Sequence, residues 1–182
     1  MNHISRRING EELQAEGIEP GIMKESSLSL YLMVKTLGEC IEFASPETFE
    51  LAKKAALDVH EKFIDQNPKP SSKFLVSIYW ASIVHLNQKM TEKTSEYFFK
   101  FLDKNLEKLN LRDAIQTFYI LYKLEKNGIQ WKKQVNLNVY FKKLVEIILM
   151  NQGKLNLKEK SMIKEAATNI SFKGSNLEKL LA

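Results

Sequence analysis

The sequence predicts an all-α fold, a stack of about four helix hairpins built from about eight helices. Three observations carry this reading. Apolar residues recur at helical spacing from Ser26 onward in a chain of 182 residues. Helix-start signals interrupt the apolar stretches, and the odd-numbered helices begin near residues 27, 72, 111 and 157. The steps of 45, 39 and 46 residues compare with roughly 40–47 for helix-pair solenoids. Seven glycines and four prolines are few for a turn-rich β fold. A non-repeating helical bundle is the alternative, because the repeats do not align without gaps.

Residues 1–25 read as an extended N-terminal arm, since Gly10, Gly17, Pro20 and Gly21 break any helix longer than two turns. Residues 26–182 form the repeat domain. Its first helix runs from Ser27 to Phe43 and is apolar on most sides. Ser45-Pro46-Glu47 restarts the chain: Ser45 is a suitable N-cap, Pro46 fits the first helical position, and Glu47 complements the helix dipole. The second helix reaches Asp65, with Phe49, Ala52, Ala56, Val59 and Phe63 on one stripe. Asn67-Pro-Lys-Pro-Ser-Ser72 ends it, and the serines cap a third helix over Ser72–Leu86, apolar nearly all round. Thr91 caps the fourth, to Leu109.

Asn110-Leu-Arg-Asp113 resembles a capping box with Asp in the acidic position, opening the fifth helix, which stops near Asn127-Gly128. A sixth helix starts between Trp131 and Asn138 and ends near Asn151. Asn156-Leu-Lys-Glu159 is a second capping-box pattern, for a seventh helix to Ile170. Ser175 caps a last short helix over Asn176–Leu181.

Composition narrows the chemistry. One cysteine, Cys40, excludes an internal disulfide framework and reads as a small buried hydrophobe. The three histidines, His3, His60 and His85, are far apart, so His60 and His85 read as hydrogen-bonded structural residues. No phosphate-binding, dinucleotide-binding or nucleophile-elbow motif occurs. The chain is expected to be no enzyme and to need no cofactor and no metal. Its most apolar run, Phe74–Leu86, is too short for a span of about 20 residues, so no transmembrane segment is expected.

Charge is unevenly placed. Residues 104–182 hold 15 Lys/Arg against 7 Asp/Glu, a net +8, whereas residues 1–103 hold 12 against 15, a net −3. A basic half faces polyanions or acidic proteins, or is a solvated lysine surface. The candidate nucleic-acid-binding residues are Arg112, Lys123, Lys132, Lys133, Lys142, Lys143, Lys158 and Lys164. Tyr122, Trp131 and Tyr140 are interleaved with them, either as stacking platforms for unpaired bases or as core. Acids and lysines alternate along the fourth helix as ordinary surface pairs.

Ile78-Tyr79-Trp80-Ala81-Ser82, closing on Leu86, resembles the I-x-W-A-x-x-x-x-L helix of octotricopeptide repeats and of FAST-kinase-like and RAP-domain proteins. The third hairpin keeps the size pattern with Phe118, Tyr119, Leu121 and Leu124 but has no Trp-Ala pair, and the chain lacks the α/β RAP module. The resemblance spans about residues 72–150. It implies an organellar RNA-binding or RNA-processing factor, here shortened to a repeat domain that serves a larger particle.

Two functions are therefore expected. One is a non-catalytic RNA-binding or structural subunit of an organellar ribonucleoprotein such as a mitochondrial ribosome. The other is a protein–protein scaffold, an accessory subunit of a large mitochondrial complex of the respiratory chain or ATP synthase. The compartment expected is the mitochondrion, otherwise the cytoplasm. The N-terminus, with Arg6, Arg7 and no acid before Glu11, is faintly like a targeting peptide, but Glu11, Glu12, Glu16 and Glu19 follow at once.

Overall fold

The computed structural model describes residues 45–66, 71–127 and 135–181, with Leu32 and Thr36 in isolation. All regular structure among them is helical, in seven α-helices. The expected helix over Ser27–Phe43, the N-terminal arm, Cys40, Gly128, Trp131, Lys132 and Lys133 lie outside the described residues. The chain divides into two compact units, residues 1–88 and residues 89–182.

The first unit holds α1 (Pro46–Gln66) and α2 (Ser72–Trp80). Ser45 caps α1 as its sequence demands: its hydroxyl accepts from the Thr48 amide at 3.3 Å, and Pro46 occupies the first helical position. The serines before α2 behave differently. Ser71 occupies the N-cap position with extended backbone, but its side chain makes no capping bond. The sequence predicts an unbroken third helix to Leu86. Instead α2 ends at Trp80 and the chain continues as a π-helical turn over Ala81–His85, closed by the Leu86 amide on the Ala81 carbonyl at 3.1 Å. Asn87 then takes φ 47°, a left-handed conformation that asparagine tolerates better than most residues, and ends the helix.

Two contacts set α1 against the segment from α2 to Gln88 within this unit. The His60 ring lies 4.4 Å from that of Tyr79. The Gln88 side chain donates to the Lys53 carbonyl at 3.0 Å. Leu75, Ile78, Tyr79, Ile83 and Ala56 are fully buried.

The second unit holds α3 (Glu92–Asn105), α4 (Leu111–Lys126), α5 (Leu137–Met150), α6 (Leu157–Asn169) and α7 (Ser175–Leu181). The caps of three of these are those the sequence specifies. Thr91 accepts from the Thr94 amide at 3.3 Å. Asn156 and Glu159 form a complete capping box, each side chain accepting the other's amide at 2.9 Å. Asn110 accepts from the Asp113 amide at 2.9 Å, but the Asp113 carboxylate meets the Asn110 side-chain amide at 3.0 Å. Aspartate is one methylene shorter than glutamate, and its bond goes to the side chain. For α7 the capping residue is Gly174 rather than Ser175, because the Gly174 carbonyl receives the Leu177 amide at 2.9 Å. The sequence carries the fourth helix to Leu109; α3 stops at Asn105 and a 3-10 turn, Leu106–Lys108, follows.

Packing in this unit follows the order of the chain. α4 packs on α5 and α6, and α7 packs on α5 and α6. Phe118 meets Phe141 edge to face at 5.5 Å between α4 and α5, and Phe99 lies 5.4 Å from Tyr140 between α3 and α5. Phe141 also stacks on Phe172, just before α7, at 6.2 Å.

The unit contains a repeat whose sequence signature is confined to one turn. Asn105-Leu-Glu-Lys-Leu-Asn-Leu-Arg-Asp113 matches Asn151-Gln-Gly-Lys-Leu-Asn-Leu-Lys-Glu159 at an offset of 46 residues. The local structure repeats with it. Asn105 and Asn151 each donate to the carbonyl four residues back, at 3.0 and 2.9 Å, and a 3-10 turn follows each. The core repeats too: Phe98, Phe99 and Leu102 are buried like Leu144, Val145 and Ile148. Thr117, Ile120, Leu121 and Leu124 are buried like Ile163, Ala166, Ala167 and Ile170.

Candidate functional site

Two hydrogen bonds fix how α4 lies on α6. The Tyr119 hydroxyl donates to Glu165 at 2.7 Å, and the Ser171 amide donates to Glu125 at 3.1 Å. Each bond joins residues 46 apart, the same offset as the sequence repeat. The two helices are therefore parallel, with equivalent residues side by side. Axes of packed helices lie about 8–10 Å apart. The register sets Arg112 and Lys158, the second residues of α4 and α6, on one edge of the helix pair.

The Glu165 carboxylate is the hub of this seam. It accepts from Tyr119 and, at 3.2 Å, from Tyr122, and it pairs with Lys123 at 3.5 Å. Its carboxyl is held below the usual carboxylate range, first by the Tyr119 bond, with burial opposing and Lys123 assisting. Burial and the Glu165 bond push the Tyr119 phenol above the ordinary range. The Lys123 ammonium lies 5.1 Å from both tyrosine rings, and Lys126 lies 5.8 Å from that of Tyr122.

A second seam joins α3 to α5. Tyr140 donates to Asp103 at 2.6 Å and Lys143 to Glu107 at 3.0 Å. Asp103 and Glu107, expected to serve pairs along their own helix, thus engage the next hairpin. Burial and the Asp103 bond push the Tyr140 phenol above its ordinary range, and Glu107 raises the Lys143 ammonium.

The expected basic residues therefore separate into classes. Lys123 and Lys143 are occupied by acids within the unit. Arg112, Lys142, Lys158 and Lys164 are exposed and form no ion pair among the described residues. Of these, Arg112 and Lys158 share the edge of α4 and α6, while Lys142 projects from α5. Tyr122 is 1% exposed, so the stacking platform considered for it is overturned: its ring is core and its hydroxyl is spent on Glu165. Tyr140 is half-buried between its Phe99 contact and its Asp103 bond.

In the first unit, His60 is buried as expected of a structural residue, but its Nε2 has no hydrogen-bond partner, which differs from the satisfied histidine expected. Burial holds its pKa down at about 3. His85 is exposed and its Nε2 accepts from the Trp80 indole at 3.1 Å. Among the described residues no group of three His, Cys, Asp or Glu could hold a metal ion, and no helix is long and apolar enough to cross a membrane.

No known protein family, curated protein or solved structure matches this chain.

Proposed function

We propose that this chain is a non-catalytic helical-repeat binding protein, an RNA-contacting subunit of a mitochondrial ribonucleoprotein. The observation that carries the reading is the equivalence of Arg112 and Lys158. A cation recurs at the second position of each repeated helix, and the register of hydrogen bonds 46 residues apart sets the two side by side. A phosphate backbone is itself a regular line of charge, and spaced cations with no internal acid are what meets it. The adjacency of α4 with α6 and of α5 with α7 supports the finer architecture, hairpins stacked by near-translation in a short solenoid.

The recognition is of backbone rather than base. The aromatic candidate in the basic half that can be placed on α4, Tyr122, is core, and three of the chain's cations in all are arginines, of which one follows residue 100.

The test is binding of single-stranded RNA by the full chain over a salt series. Arg112→Gln with Lys158→Gln should lower affinity and reduce the log–log salt slope by about 1.4, at about 0.7 for each phosphate no longer neutralised. Equal affinity and slope in that variant would overturn the reading. The burial of Tyr122 and the internal pairing of Lys123 and Lys143 favour the second reading, an accessory protein scaffold of a respiratory or ATP synthase complex. It predicts stable co-purifying subunits and no RNA crosslinks.

A further inference from the structure

We infer that the turn joining α5 to α6 is a contact for an anionic membrane surface. Met150 and Leu157 would enter the interfacial layer, and Lys154 and Lys160 would meet lipid headgroups. This goes beyond the RNA reading and uses different residues.

Met150 is 78% exposed and Leu157 86%, more than any other large apolar side chain among the described residues. They flank the turn Gln152–Lys154, whose three residues are all exposed. A Cβ built on Gly153 would meet nothing within 4 Å, so open space surrounds the tip of the turn. The apolar pair thus sits on a projecting corner, which suits insertion into a soft surface.

The repeat argues against a further helix hairpin as the occupant. On α4, Tyr119 and Tyr122 meet α6 through Glu165, and Ile115, Phe118, Tyr119 and Tyr122 are all buried. The equivalent positions on α6 are Ser161, Lys164, Glu165 and Thr168, all exposed. Beyond Leu157 that stripe is polar, as on a capping repeat, and offers a stacked helix little apolar surface to cover. Leu111 is half-buried in the interior repeat, and its counterpart Leu157 is bare.

Charge selects the surface. Lys154 and Lys160 are exposed around the tip. Two acids of α6 are engaged, Glu159 in the capping box and Glu165 with Tyr119, Tyr122 and Lys123. An apolar tip beside exposed lysines complements an anionic leaflet. No helix among the described residues is long and apolar enough to span a membrane.

The experiment is flotation of the full chain with phosphatidylcholine vesicles containing about 30 mol% phosphatidylserine, against phosphatidylcholine alone. Flotation is expected with the anionic vesicles only. Met150→Ser with Leu157→Ser should lower it by about tenfold or more. Lys154→Gln and Lys160→Gln should each lower it about fivefold. All four side chains are exposed, so circular dichroism and Tm should match the parent. Arg112 and Lys158 stay intact, and RNA affinity of the Met150/Leu157 variant should be unchanged, so the two readings fail separately. No flotation on either vesicle would overturn the inference. So would flotation unaffected by Met150→Ser and Leu157→Ser, which is adsorption of a polycation. Complete displacement by single-stranded RNA would overturn it too, placing the tip against RNA.

Discussion

Lowering the pH from about 7.5 to about 5 should remove about 2 kcal/mol from the stability of the first unit, through His60 alone. His60 is 3% exposed, lies 4.4 Å from the Tyr79 ring, and leaves Nε2 without a partner. Burial depresses its pKa from 6.5 to about 3 in the fold. A depressed imidazole pKa means the unfolded chain binds the proton first. Between the two values the unfolded state holds more protons, so stability falls as pH falls below 6.5 and levels off only near 3. The slope approaches about 1.36 kcal/mol per pH unit, and integration down to about pH 5 gives about 2 kcal/mol. The Glu165 contribution does not obscure this window, because it is lost only as pH falls below the ordinary value of 4.5.

The assay is urea unfolding followed by Trp80 fluorescence in a Trp131→Phe background, so that the signal comes from α2. His60→Phe keeps a ring against Tyr79 and removes the titrating nitrogen. It should flatten the dependence between about pH 7 and 5 and remove the cost of an unpartnered buried nitrogen, about 1–3 kcal/mol. The reasoning fails if the parent unfolds at the same urea concentration at both pH values. It fails equally if His60→Phe keeps the parent's slope, which would assign the effect to other groups.

Three further outcomes follow from the second unit. Tyr119→Phe should destabilise it by about 1 kcal/mol, a charge-assisted bond discounted because Glu165 is 45% exposed, read as a lower Tm. Asn156→Ala removes the capping box and should cost about 1 kcal/mol in urea unfolding, whereas Asn156→Asp should keep most of it. Tyr140→Phe should lower the urea midpoint by the equivalent of about 1 kcal/mol, since the ring stays on Phe99 while the Asp103 bond is removed.

The legible parts of the fold were those written within four residues. Ser45, Thr91, Asn110 and Asn156 each satisfy an amide three positions on, so sequence spacing alone places the helix starts. The same spacing placed the end of the third helix near Leu86 but not the π form of its last turn, because Trp80-Ala81 has no feature that separates an α from a π turn. It misassigned α7, where Gly174 and Ser175 both suit a cap and the backbone path decides. The 46-residue step from 111 to 157 was part of the periodicity, but the match of Lys108–Asp113 with Lys154–Glu159 reads as two separate capping signals. The core positions of the repeat change identity, Phe98 to Leu144 and Ile120 to Ala166, and the links after the paired helices differ in length.

The lysines show where local reasoning stops. Lys123 and Lys142 each follow an aromatic residue on a helix, yet Lys123 is held by Glu165 and Lys142 is exposed. Tyr122 sits among lysines and is nonetheless core. Helix type, caps and the apolar faces come from interactions within one or two turns, and the chain by itself determined them. Which acid neutralises which lysine depends on contacts between residues 36 to 46 apart. Helix register sets those contacts, and only the packed structure decided them.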